Sequence, residues 1–219
     1  MGSDQPADSF FQAILRRLPG RAAKATEPPV TPLSVLEEIH SGLHRDYCLY
    51  LRPPLAHRFG TAPRQAASPL QPDVEDLLVR AFAPLPLLTI DEIATNRDAP
   101  LPAEAFETLA ESARVLLLVP TDDRRFMERL RSLKQSNTLA RCIFLMPELG
   151  TLEREDWSET WESTRSAATN IGLELSPYTS GGWLFRIDSN GKACTFRPIA
   201  NPNPEKIARA LEAICEQMG

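Results

Sequence analysis

The sequence predicts an α/β protein with a doubly wound, mainly parallel sheet that ends in a β-hairpin and a helix. Three observations carry this. Val115 to Val119 and Cys142 to Met146 are short unbroken apolar runs, each closed by a proline, as buried parallel strands covered on both faces require. Between them Phe126, Met127, Leu130, Leu133 and Leu139 recur at helical spacing, while Arg, Asp and Lys fill the opposite face. The two runs and their helix make a βαβ unit with a right-handed crossover. Finally, Trp183, Phe185 and Ile187 alternate with Leu184, Arg186 and Asp188. Ser189-Asn190-Gly191 supplies a turn, and Cys194 and Phe196 alternate on the return, which is the pattern of a hairpin.

The 219 residues divide into an N-terminal segment, 1–33, and a single α/β domain, 34–219. An apolar content of 42% with 24% charged residues excludes wholesale disorder. A net charge of -5 argues against a dedicated nucleic-acid binder, which needs a concentrated basic face. Cys48, Cys142, Cys194 and Cys215 lie far apart with no C-x-x-C pair, three in predicted strands and one in the last helix; this fits a reduced, cytoplasmic setting. The start, Met-Gly-Ser-Asp-Gln-Pro, has no basic stretch followed by an apolar core, and no apolar run approaches the roughly 20 residues that span a bilayer.

In chain order, Ser9 to Leu18 reads as a short amphipathic helix, with Phe10, Phe11, Ile14, Leu15 and Leu18 opposite Arg16 and Arg17. It suits docking on the domain or a dimer partner, or peripheral contact with an anionic membrane. Thr26 to Pro32 is a stiff proline-rich linker. Ser34 and Glu37 stand at capping-box spacing before Val35, Leu36 and Ile39, and Gly42 closes that helix. His40 and His44 are four apart, but Gly42 between them breaks the helical face that a metal pair needs, and no metal site is expected. Tyr47 to Leu51 is the first strand, followed by Arg52 and a long loop, Leu55 to Pro72. Asp73 caps a helix with Val74, Leu77, Leu78 and Phe82, Leu87 to Ile90 is the second strand, and Ala103 to Ser112 is a helix feeding the strand at Val115. Thr151 to Asn170 reads as a long helix whose Trp157 and Trp161, four apart, form a packing stripe. Leu173 to Leu175 suggests a further strand, and Asn203-Pro204 starts a last helix carrying Ile207, Leu211, Ile214 and Met218.

In doubly wound sheets ligands bind beyond the carboxyl ends of the strands, which here are Arg52, Asp91, Thr121 to Asp123, and Pro147 to Glu148. No G-x-G-x-x-G, G-x-x-x-x-G-K-[ST] or G-x-S-x-G occurs, so neither a Rossmann fingerprint, a phosphate loop nor a nucleophile elbow is present. The candidate ligand-binding residues are Arg52, Thr121, Asp122 and Asp123.

The segment from Asp46 to Pro147 has a strand ending in a small polar turn, then a helix with an aromatic residue just before a glutamate, then a strand ending in proline. It resembles the later half of Toll/interleukin-1 receptor (TIR) domains, and a group of bacterial proteins with a related first strand. The residues concerned are Tyr50-Leu51-Arg52-Pro53-Pro54 and Phe126-Met127-Glu128. Met127 stands where that group carries tryptophan, and Thr121-Asp122 where the usual turn carries serine. The resemblance implies a TIR-like or flavodoxin-like fold and a nucleotide-recognising module in bacterial signalling or defence. It requires no cofactor, and NAD is the substrate where the module is an NAD glycohydrolase. It further implies Glu128 as the catalytic carboxylate, stabilising oxocarbenium character as the N-glycosidic bond breaks, with Arg52 shaping the pocket. The residues alone also allow Glu128 to be a solvated helix carboxylate paired with Arg124, Arg125, Arg129 or Arg131. The corresponding alternative is a non-catalytic protein-interaction module, such as a toxin-neutralising protein or an adaptor, with a protein partner or a second copy of itself.

Overall fold

The computed structural model describes residues 30–43, 45–52, 74–91, 101–148, 157–199 and 203–216. The expected N-terminal helix, the Leu55 to Pro72 loop, the Asp73 cap, His44 and the first turn expected at Thr151 lie outside the described residues. Within them the elements are α1 (Pro32–His40), β1 (Cys48–Arg52), α2 (Val74–Phe82), β2 (Leu87–Asp91), α3 (Ala103–Ser112), β3 (Val115–Leu118), α4 (Arg124–Gln135), a short 3-10 turn (Thr138–Arg141), β4 (Cys142–Glu148), α5 (Trp157–Thr169), β5 (Gly181–Ile187), β6 (Ala193–Pro198) and α6 (Pro204–Cys215).

These strands form one six-stranded mixed sheet in the order β2-β1-β3-β4-β5-β6. Its first four strands are parallel, and β4 to β5 and β5 to β6 are antiparallel. The apolar runs explain the parallel part. Alternate residues of one strand enter two separate cores: Leu49, Leu51, Leu116, Leu118, Phe144 and Met146 pack on one face, while Cys48, Tyr50, Val115, Leu117, Val119, Ile143 and Leu145 pack on the other. The first core is covered by α1, α3, α4 and α5, through Val35, Phe106, Leu109, Phe126, Leu130 and Trp161. The second is covered by α2 and α6, which also pack on each other, through Leu77, Leu78, Phe82, Ile207, Leu211 and Ile214. Strands buried on both sides have no polar alternation to display, which is why they read as continuous apolar runs.

Two expectations are corrected. The first helix starts at Pro32, capped by Thr31, instead of at the Ser34–Glu37 pair; Thr31 N donates to Ser34 Oγ at 3.0 Å and Ser34 N to Thr31 Oγ1 at 3.2 Å. Proline lacks the N–H that a first helical position would leave unpaired, so the residue before it becomes the cap. Leu173 to Leu175 is not a strand but a single bridge, Glu174 to Lys192. Glu174 N donates to Gly191 O and Ala193 N to Glu174 O, so the segment closes on the hairpin at one residue while Leu173 and Leu175 plug the first core.

The hairpin turn is held by Asp188, whose Oδ1 accepts from Asn190 N and Lys192 N, each at 2.9 Å. Gly191 has φ +83, and a Cβ there would collide with the carbonyl oxygen of Gly172. The return strand is irregular: the register shifts between Leu184 and Arg186, and Thr195 takes φ 53. Such a bulge interrupts an edge strand that could otherwise pair with another chain.

Candidate functional site

The sheet order gives the site its place. From β1 the chain passes to β2 on one side, then crosses back over β1 to β3 on the other. The strand order therefore reverses between β1 and β3, the place in doubly wound sheets where ligands favour the carboxyl ends of the strands. Leu51 pairs with Leu118, so continuing the register sets Arg52 level with Val119, and Thr121 lies two residues beyond. Arg52 is half-buried at the last position of β1, opposite Asp91 of β2.

Thr121, Asp122 and Asp123 form the turn from β3 to α4, and each has a distinct setting. Thr121 is 1% exposed, and its Oγ1 is buried without a hydrogen-bond partner. Leaving such a hydroxyl unsatisfied costs roughly 1–3 kcal/mol. Asp122 is exposed, and its Oδ2 accepts a 2.6 Å hydrogen bond from Ser163 Oγ of α5. Asp123 is the N-cap of α4: its Oδ1 accepts from Arg125 N at 2.9 Å and Phe126 N at 3.2 Å, and its backbone oxygen accepts from Met127 N. The first amides of α4 are thus largely engaged by the protein itself, so this turn is not a phosphate cradle of the helix-terminus kind.

Glu128, the fifth residue of α4, sits about 6 Å along the axis from Arg124. Its carboxylate accepts from Arg124 Nε at 2.9 Å, with the two side chains 51% and 91% exposed respectively. The structure therefore brings Arg52 and Thr121 to Asp123 to one end of the sheet, and holds Glu128 one helical turn further along, engaged on the surface.

No protein-family model, curated protein or solved structure matches the chain. The site is accordingly defined by this chain's own residues.

Sequence reasoning did not reach Ser163, which stands among other Ser, Thr and Glu residues of α5 with nothing in its spacing to single it out. Sequence spacing offers Arg129 only as one of several partners for Glu128. It instead donates to Leu101 O at 2.7 Å and lies 4.5 Å over the Phe106 ring, tying α4 to α3. Trp161 is the expected packing residue: it is buried, and its Nε1 donates to Ser176 O at 2.9 Å. His40 is exposed at the end of α1. Among the described residues no group of three or more His, Cys, Asp or Glu is placed to hold a metal ion, and no helix is long and apolar enough to cross a membrane.

Proposed function

We propose that this chain is a cytoplasmic nucleotide-recognising module of TIR-like, flavodoxin-like type, of the kind used in bacterial signalling or defence, which takes its ligand at the carboxyl ends of β1 and β3. The observation that supports this is the strand order β2-β1-β3-β4, which reverses between β1 and β3, where ligands favour the carboxyl ends of the strands. Arg52, Thr121, Asp122 and Asp123 belong to that end of the sheet, and the unpaired Thr121 hydroxyl is the polar group most in need of a partner. NAD cleavage is an elaboration of this reading in which Glu128 leaves Arg124 and faces the ribose. Titration calorimetry with NAD and ATP tests the binding, and nicotinamide release by wild type beside Glu128→Gln tests the cleavage. Binding that weakens in Arg52→Ala and Thr121→Val supports the module; release that disappears in Glu128→Gln supports the enzyme. Absence of binding by both nucleotides counts against the whole reading.

A second reading is a non-catalytic interaction module, toxin-neutralising or adaptor in kind, meeting a protein partner or a second copy. It is favoured by the exposed Arg124–Glu128 pair, and by Leu33 and Leu43, which are 67% and 60% exposed on and just after α1. Light scattering on the purified chain, with Leu33→Glu and Leu43→Glu beside it, tests this reading. A dimer that the substitutions dissolve, together with silence towards nucleotides, selects it.

A further inference from the structure

We infer that the β3 to α4 turn takes an uncharged, hydroxyl-bearing part of the ligand, the vicinal diol of a nucleoside's sugar, and takes no phosphate. The inference rests on the nucleotide reading and assigns one part of the ligand to this turn.

The backbone hydrogen bonds at the turn leave little for a phosphate. A phosphate only accepts, and a turn that holds one must offer donors. Here the Arg125 and Phe126 amides are given to Asp123 Oδ1, the Met127 amide to Asp123 O, and Arg124 Nε to Glu128. The Arg124 side chain is 91% exposed and turned to solvent along the helix, so the groups that the protein buries or pins at the turn itself are a carboxylate, Asp122, and a hydroxyl, Thr121. An ionised carboxylate only accepts, and a threonine hydroxyl both donates and accepts. Sugar hydroxyls do both as well, so a diol can donate to Asp122 while exchanging a hydrogen bond with Thr121.

Two features make this a built arrangement and not merely an acidic turn. The Thr121 Oγ1 is fully buried with no partner, so the protein carries an unmet hydrogen bond at this point. Ser163 fixes Asp122 at 2.6 Å from a second element, α5. Because Thr121 is 1% exposed, a ligand reaches its hydroxyl only by displacing what covers it. Binding is therefore coupled to a shift of the turn, and Thr121 lowers the stability of the empty protein in order to serve the bound one. Removing that hydroxyl should move stability and affinity in opposite directions, which a purely structural threonine would not do.

The test is titration calorimetry of the full chain with adenosine, 2′,3′-dideoxyadenosine, ATP and pyrophosphate, using wild type, Thr121→Val and Asp122→Asn, with thermal melts of each. The expected result is that adenosine binds, that dideoxyadenosine binds about tenfold more weakly or worse, and that pyrophosphate neither binds nor competes with adenosine. Thr121→Val should weaken adenosine about tenfold while raising Tm by about 2–4 °C. Asp122→Asn should weaken adenosine without that rise. Equal binding of adenosine and its dideoxy analogue, competition by pyrophosphate, or unchanged adenosine affinity in both variants would overturn the inference. Binding of ATP without adenosine would overturn this inference alone. Binding of none of the four would remove the nucleotide reading with it.

Discussion

Arg124 and Glu128 form a 2.9 Å ion pair across one turn of α4, with most of the arginine and half of the glutamate in solvent. An exposed pair of this spacing contributes roughly 0.3–0.5 kcal/mol. Glu128→Gln should therefore leave the melting temperature nearly unchanged, within about 2 °C. The variant is a clean probe of activity for that reason: any lost nicotinamide release reports chemistry and not unfolding. A drop in Tm of many degrees would mean that Glu128 has a structural role which this geometry does not contain.

Gly191 and Gly42 both have positive φ, +83 and +75, but only one is crowded. At Gly42 nothing lies within 4 Å of a built Cβ, so Gly42→Ala should cost only the left-handed strain, about 1 kcal/mol. At Gly191 the same strain is joined by a collision with the Gly172 carbonyl, and that collision opposes the Glu174 to Gly191 backbone bond. Gly191→Ala should cost on the order of 3 kcal/mol, measured by urea unfolding beside Gly42→Ala. Equal losses at the two sites would show that the close approach is unimportant.

Trp161 lies in the core with its ring edge-on to Phe185 at 6.4 Å and its indole N–H on Ser176 O. Trp161→Ala should cost about 3–5 kcal/mol, the range for a buried large aromatic. A loss below about 1 kcal/mol, measured by denaturant unfolding, would return Trp161 to the surface.

Tyr47 links pH to stability on the alkaline side. Burial pushes its hydroxyl up to about 12, opposed in part by Arg141, and the proton is donated to Leu109 O at 2.6 Å. The folded pKa lies above the unfolded value of 10.0, so the folded chain keeps a proton that the unfolded chain releases. Its contribution is complete below about pH 10 and is lost as pH rises towards 12. Tyr47→Phe should lower stability at neutral pH but flatten its decline above pH 10, read from chevron or equilibrium unfolding at several pH values. A decline of unchanged steepness would assign it to other groups.

How far the chain could be read in advance follows from what each signal depends on. The Val115 to Val119 and Cys142 to Met146 runs were legible because two-sided burial removes every polar residue from a strand. The Ser189-Asn190-Gly191 turn was legible because only a few residue types adopt its backbone. The start of α1 was displaced because two capping signals lie three residues apart, and the choice fell to Pro32. Leu173 and Leu175 have strand-like composition for a different reason, since both fill the core from a loop. At the site, Thr121 to Asp123 could be found from their place after an apolar strand. That Asp123 is spent on the helix while Asp122 is held by Ser163 is a tertiary relation, 41 residues apart, and no local pattern encodes it.

The central claim is that a nucleotide binds where β1 and β3 end. Hydrogen exchange followed by mass spectrometry, with and without saturating NAD, tests it most directly because it reports position as well as binding. The account predicts slowed exchange in the peptides carrying Arg52 and residues 119–126, with β5, β6 and α6 unchanged. Protection confined to α1 or to the β6 edge, or none anywhere in the chain, would contradict it.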